Sequence, residues 1–206
     1  MSDSPRPYHH GSLVDALIAA TVELIEERGV EDVSLREAAK RAGVSAGAPF
    51  RHFKSKTALM TAVAEQSMAR LAAAVDQEVP RTGADPVAAL QAMGHAYIRW
   101  AVDNPTHFRI ISSRTLIDFD GSAMLTGENA RLRQVMGDIL GLARDQGRLP
   151  ADCDVDLILL STRAFAYGLA RMYVDGQFPE WHPREDPKTA MTRAIDAYVA
   201  RLFAAA

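Results

Sequence analysis

Residues 34 to 56 read SLREAAKRAGVSAGAPFRHFKSK, and few folds accept residues in this order. Leu35, Ala38, Ala39 and Ala42 recur at helical spacing behind Ser34, with Glu37 three residues on as in a capping box. A short helix of about two turns therefore opens at Ser34 and stops at Gly43, which takes left-handed backbone without steric cost. Val44 is placed to bury inside the angle that follows, and Ser45 to cap a further short helix. A short helix, a glycine-containing turn and a second short helix make a helix-turn-helix, with small Ala39 where the two helices cross.

The second helix looks poorly chosen until its surroundings are considered. Gly47 and Pro49 are weak helix formers, yet Arg51, His52, Lys54 and Lys56 crowd in directly behind them. In a helix-turn-helix the second helix offers its first residues to base edges in the major groove. Ser45, Ala46, Gly47 and Ala48 carry almost no side-chain bulk, so the backbone can approach, and Pro49 sits near the first turn, where a missing N–H costs least. Arg51, His52, Lys54 and Lys56 then stand where phosphate contacts would fix the helix in register. Lys56 also opens the next helix behind Ser55, and a helix N-terminus favours an anion. The competing reading is a helical corner whose glycine and proline only end a helix.

Charge separates along the chain in the same sense. The net charge is −3, but Arg36, Lys40, Arg41, Arg51, Lys54 and Lys56 face only Glu37 within residues 36 to 56. That segment carries +5 and the remainder −8. Such a block steers one surface toward a polyanion, unless it is simply a solvated helix face. A single cysteine, Cys153, permits no internal disulfide, and no apolar run reaches the roughly 20 residues of a membrane span. The polar opening MSDSPRPYHHGS has no signal-peptide core, so a cytoplasmic protein is expected.

Elsewhere the pattern is helical too, which predicts an all-α chain of about nine helices. Leu13, Ala16, Leu17, Ala20 and Leu24 mark a first helix capped by Ser12 and ended by Gly29. Helices are also expected from Ser45, from Ser55 toward Pro80, from Asp85-Pro86 to about Asp103, and from Asn104-Pro105 to about Ser113. Residues 114 to 125 lack a period and read as loop, ahead of a helix around Leu132 to Ala143 that ends at Gly147. Residues 155 to 174 and a last segment from Asp186-Pro187 complete the set, joined by a proline-rich connection over 177 to 187. The division expected is a DNA-binding domain at 1–56, a connecting helix from 55 to 79, and a second helical domain at 80–206.

Residues 12 to 66, including SLREAAKRAGVS, the RHF end of the recognition helix and SKTALMTAV, resemble the DNA-binding domain of tetracycline-repressor (TetR) family regulators. The resemblance implies a homodimer whose two recognition helices bind half-sites of a near-palindromic operator in double-stranded DNA. It carries phosphate contacts onto Ser34, His52 and Lys56. The family usually has Tyr where this chain has Phe50, so that position's hydroxyl contact is missing here. In some members an N-terminal arm, here Arg6, His9 and His10, adds contacts.

Residues 85 to 180 resemble a C-terminal effector domain of the Trp-His-Gly type, best in HAYIRWAVDNPTHFRII from His95 to Ile111. In TRAFAYGLA, Arg163 and Tyr167 stand at the Trp and His positions and Gly168 is kept. The family encloses a small-molecule pocket in this half, for which Trp100, Phe108, Phe119, Met136, Phe165 and Tyr167 are candidates, though aromatic and Met residues at helical spacing also make ordinary core. Arg163, in the apolar run LILLSTRAFAYGLA and on one face with Tyr167, can meet a ligand anion, an internal Asp or an interface. Small Ala164, Gly168, Ala194 and Ala197 on the last two long helices suit a dimer interface or packing within one subunit.

Enzyme chemistry finds little support. No glycine-rich phosphate loop, nucleophile elbow or HExxH is present, and no cofactor motif. Asp152, Asp154 and Asp156 fit a helix start better than a metal site, His9-His10 lack partners at ligand spacing, and Cys153 has no His close in sequence. The reading is a DNA-binding regulator, most simply a repressor released by a small molecule. A repressor with no such effector is the alternative.

Overall fold

The structure is a computed structural model that describes residues 10–181 and 184–204, with side chains from Leu13 onward. Nine α-helices and no strand are found among the described residues. In order they are α1 (His10–Arg28), α2 (Leu35–Arg41), α3 (Lys56–Glu78), α4 (Pro86–Asp103), α5 (Pro105–Ile111), α6 (Ala123–Asp145), α7 (Val155–Val174), α8 (Phe178–Trp181) and α9 (Pro187–Ala204). The all-α class holds, and so does the number of helices, but two members differ from expectation.

The helix expected from Ser45 is a turn followed by a single 3₁₀ turn, Pro49–Arg51. Pro49 has no N–H to give the Ser45 carbonyl, so the Ala48 N–H takes that carbonyl at 2.9 Å and the chain tightens to three-residue spacing. Ser45 does not cap this turn, which starts from Ala48 with no side-chain cap. Its place in the count is taken by the four-residue α8, inside the proline-rich connection. Two boundaries also move. Helix α1 begins at His10, so Ser12 lies within it, and α6 begins at Ala123, inside the stretch read as loop.

Caps explain most other ends. Ser34, Ser55, Asp85, Ser122 and Asp154 each accept a backbone N–H from the first turn they precede. The capping box at Ser34 is only half made, because the Glu37 carboxylate turns to Arg28 at 3.7 Å. At the end of α2 Gly43 has φ 68°, and the Val44 and Gly43 N–H groups return to the Ala39 and Lys40 carbonyls at 3.0 and 3.2 Å. That closure sets the angle between α2 and the 3₁₀ turn.

Packing gathers around two buried clusters. One joins α1, α2 and the first half of α3 through Leu17, Leu35, Ala38, Phe53, Leu59 and Met60, and takes in Ile110, Ile117 and Leu125 from the second half of the chain. The other joins the end of α3 to α4, α6, α7 and α9 through Leu90, Trp100, Phe108, Leu140, Ala170 and Met191. Helices α4 and α9 approach closely at Gly94, where a Cβ would lie 2.7 Å from Ile195 Cγ2. Helix α3 belongs to both clusters and is the rod between them.

Candidate nucleic-acid interface and enclosed cavity

The segment from Ser45 to Lys56 splits into an outer and an inner face. Ser45, Ala46, Gly47, Arg51, His52 and Lys54 are exposed. Ala48 and Pro49 are buried against the first cluster, which corrects their assignment as groove-facing residues: they anchor the 3₁₀ turn. Their burial follows from the chain's tightening at Ser45, which turns this pair inward beside buried Phe53. Phe50 is 52% exposed instead, an apolar ring on the outer face that residue pattern alone did not single out beyond its lost hydroxyl.

The cations also separate. Arg41 is engaged by Glu27 at 2.8 Å and Glu23 at 3.2 Å, and it holds the Glu27 carboxyl below the ordinary carboxylate range. It therefore drops out of the positive block. Lys56 is only partly buried, but its Nζ donates to the Val30 and Glu31 carbonyls at 2.6 and 3.1 Å. Two of its three donors tie the α1–α2 connection to the start of α3, which corrects the expectation that Lys56 stands open to a phosphate. Arg36, Lys40, Arg51 and Lys54 are exposed and have no ion-pair partner among the described residues. Ser34, Ser55 and His52 are exposed too, and with these four cations they make up the candidate nucleic-acid contacts of this segment. Arg6 and His9, and the side chain of His10, lie outside the described residues.

The second half of the chain encloses a cavity of about 290 Å³ bounded by α3, α4, α6, α7, α9 and the α5–α6 connection. Six of the seven sequence candidates line it: Trp100, Phe119, Met136, Arg163, Phe165 and Tyr167. Phe108 does not. It is fully buried behind the wall, its ring 5.7 Å from Tyr167 and 6.3 Å from Trp100, and it holds them in place. Arg163 meets no Asp among the described residues. Its Nη1 donates to the Tyr97 hydroxyl at 3.0 Å, and its guanidinium stands over the Tyr97 and Tyr167 rings at 4.8 and 5.3 Å. Sequence reasoning missed Tyr97, Arg114, Thr162 and Tyr198 on this wall. Tyr97 lies three residues before Trp100 and shares its helix face, a readable signal, whereas Arg114 sits in an aperiodic stretch that gave none.

The cavity is linked by hydrogen bonds to the cationic end. Arg114 and Phe119 on its wall belong to the α5–α6 connection, with Arg114 over the Phe119 ring at 3.3 Å. In the same connection the Asp118 N–H donates to Thr61 Oγ1 at 2.9 Å, and Thr61 donates to the Thr57 carbonyl at 2.8 Å, in the first turn of α3. Ser122 Oγ donates to Glu65 at 2.6 Å and accepts the Leu125 N–H at 3.2 Å. Ala164 and Ala197 are exposed, and Gly168 and Ala194 half-buried, on α7 and α9. Leu157 and Leu160 extend the α7 face at helical spacing and are 58% and 62% exposed. Among the acidic trio, Asp154 caps α7 and Asp156 pairs with Arg133 at 2.7 Å.

Comparison with known proteins follows the same division. Residues 17–63 match the family model for bacterial regulatory proteins of the tetR family, and residues 90–198 match the tetracyclin repressor-like C-terminal domain. The HTH-type transcriptional regulator BetI of Yersinia pestis is 30% identical over 120 residues, which span 58% of this chain and 58% of that protein's length. The HTH-type transcriptional repressor KstR2 of Mycolicibacterium smegmatis is 24% identical over 174 residues, covering 82% of this chain and 83% of that one. A solved structure of a protein with unknown function from Rhodococcus sp. RHA1 superposes with a TM-score of 0.77 at 26% identity, covering 97% of this chain and all of that one. No described helix is long and apolar enough to cross a membrane. The helix-turn-helix, the helical second half and both family matches make this chain a member of the TetR family of DNA-binding transcriptional regulators.

Proposed function

We propose that the chain acts as a homodimeric repressor, each subunit setting its Ser45–Lys54 ridge into the major groove at one half of a near-palindromic operator, and that a small molecule in the cavity releases the DNA. In this reading residues 1–56 form the DNA-binding domain and residues 80–206 the effector-binding and dimerisation domain, with α3 between them. Ser34, Arg36, Arg51, His52 and Lys54 meet phosphates. Exposed Ser45, Ala46 and Gly47 bring the backbone to the bases, and Phe50 offers apolar contact to a thymine methyl or a sugar. The dimer forms across the α7–α9 face, where Leu157, Leu160, Ala164 and Ala197 leave an apolar stripe uncovered. The repressor sign is supported by the KstR2 relative, a repressor by name.

The observation that carries the reading is the α5–α6 connection. One side of it lines the cavity through Arg114 and Phe119, and the other is hydrogen-bonded into α3 at Thr61 and Glu65, close to Ser55. A ligand releases DNA only if it binds the DNA-incompetent arrangement better, and a wall that is also the seat of α3 supplies that difference. The test begins with selection of bound sequences from random duplexes by the full-length protein. Compounds are then screened for raised melting temperature together with loss of operator binding. Steeply salt-dependent, sequence-selective binding and at least one compound doing both are expected. Compounds that bind without releasing DNA would leave a repressor with no small-molecule control.

A further inference from the structure

The donors around the cavity are out of balance, and the imbalance names a class of ligand. This inference rests on the proposed role of the cavity as the effector site. Its wall holds three arginines and no aspartate or glutamate. Arg133 is already paired with Asp156, and Arg114 lies over the Phe119 ring. Arg163 is different: among the described residues its polar partner is the Tyr97 hydroxyl, and no carboxylate answers its charge. A guanidinium has five N–H donors and accepts nothing; Arg163 is an exposed residue that also lines the cavity, so its remaining donors are open to solvent or to a bound anion.

Tyr97 adds to the surplus. Because Arg163 donates to Tyr97 Oη, the phenol's own proton must point elsewhere. Burial pushes the Tyr97 pKa above its ordinary value despite the opposing pull of Arg163, so that proton is present at neutral pH. The Trp100 ring lies 6.3 Å from Tyr97 and forms wall beside it, its Nε1 buried without an acceptor among the described residues and closed off from the cavity space. Guanidinium and phenol thus stand together at one corner of a cavity whose remaining wall includes Met68, Leu71, Leu90, Met93 and Met136.

We propose that the cavity receives a compact apolar carboxylic acid as its anion, with the carboxylate held by Arg163 and Tyr97 and the hydrocarbon body against the Met and Leu wall. A planar fork meeting two coplanar oxygens is the pairing a guanidinium makes best. The volume lies at the low end of the ~300–1,000 Å³ of small-molecule sites, which fits a free acid better than a nucleotide-bearing ester.

The test uses the full-length protein carrying Trp181→Phe, which leaves Trp100 as the sole tryptophan, and follows its fluorescence with calorimetry alongside. The probes are decanoate and 2-naphthoate, each against its primary amide and corresponding amine, plus decanoyl coenzyme A. At least one acid is expected to bind about tenfold or more tightly than its amide, with the amine weaker still. Arg163→Met should remove about that tenfold from the acid and leave the amide within about threefold, whereas Arg163→Lys should restore part of it. Equal affinity for acid and amide, an acid preference that survives Arg163→Met, tighter binding of the coenzyme A ester, or no binding by either acid would each overturn the proposal. An acid that binds with these preferences but leaves operator DNA bound would instead overturn the proposed function and spare this inference. Release by an amide or amine at lower concentration than the matching acid would do the reverse.

Discussion

Side chains that look alike in the sequence have different tasks once their partners are known. Arg51 and Lys54 are exposed and unpaired among the described residues, whereas Lys56 is tied to the Val30 and Glu31 carbonyls. Arg51→Ala and Lys54→Ala should therefore leave the melting temperature unchanged and reduce the slope of log affinity against log salt by about one each. Lys56→Met should cost about 1–2 kcal/mol in urea unfolding, because two carbonyls lose a charged donor. An unchanged salt slope in the first pair, or unchanged stability in the third, would count against this division. His107 gives a second contrast. Burial first, and then Arg70, whose Nη1 lies 3.4 Å from its Nε2, hold its pKa below the ordinary value, with Glu26 pulling the other way. The folded protein therefore resists a proton that the unfolded chain accepts as pH falls through about 6.5. Stability should be full above that pH and decline below it toward the lowered folded pKa. His107→Gln should flatten the decline between pH 7.5 and 5.5 in denaturant titrations.

At the scale of elements, α3 and the α5–α6 connection belong together. The connection is held at Thr61, Glu65 and buried Ile117, so it moves with α3 more readily than an exposed loop would. Ser122 both caps α6 and reaches Glu65, and Ser122→Ala should destabilise the protein by about 1–2 kcal/mol. Thr61→Val removes the relay from Asp118 to Thr57 while keeping the side chain's shape. It should leave operator affinity within about threefold and raise the effector concentration needed for release. Identical effector response in Thr61→Val would show that the relay does not carry the coupling. The 3₁₀ turn teaches a related lesson, since one absent N–H at Pro49 set the form of the whole element and the direction in which Ala48 faces.

For the whole molecule the exposed stripe on α7 matters most. Leu157 and Leu160 stand more than half exposed beside Ala164, an arrangement that a partner subunit would bury. Leu160→Asp places a charge at the middle of that stripe. In sedimentation experiments it should shift the protein to monomer, and operator affinity should fall at least tenfold, because one subunit carries only one ridge. A dimer that survives this change would place the interface elsewhere. The charge separation belongs to this scale too: with Arg41 answered by Glu23 and Glu27, the unpaired cations Arg36, Lys40, Arg51 and Lys54 still concentrate attraction for DNA in one segment of an otherwise acidic chain.

The helix-turn-helix was legible because its constraints are local. Ser34, Gly43 and the alanine stripe of α2 act within a few residues of themselves, and backbone chemistry reads the same in sequence as in space. Most of the cavity's aromatic wall was legible for a similar reason, since helical spacing places Arg163 and Tyr167 on one face. What spacing could not supply was which distant group answers which. That Lys56 reaches Val30, that Arg41 is neutralised by Glu23 and Glu27, that Phe108 stands behind the wall, and that the Trp100 N–H finds no acceptor are relations across helices. The sequence by itself determined the long helices and the Gly43 turn through steric and hydrogen-bonding preferences of neighbouring residues, but not the 3₁₀ form of the second helix or the short α8. Tertiary packing alone decided which charges stay free and which side chains line the cavity, because electrostatic and hydrogen-bond partners are chosen by distance in space.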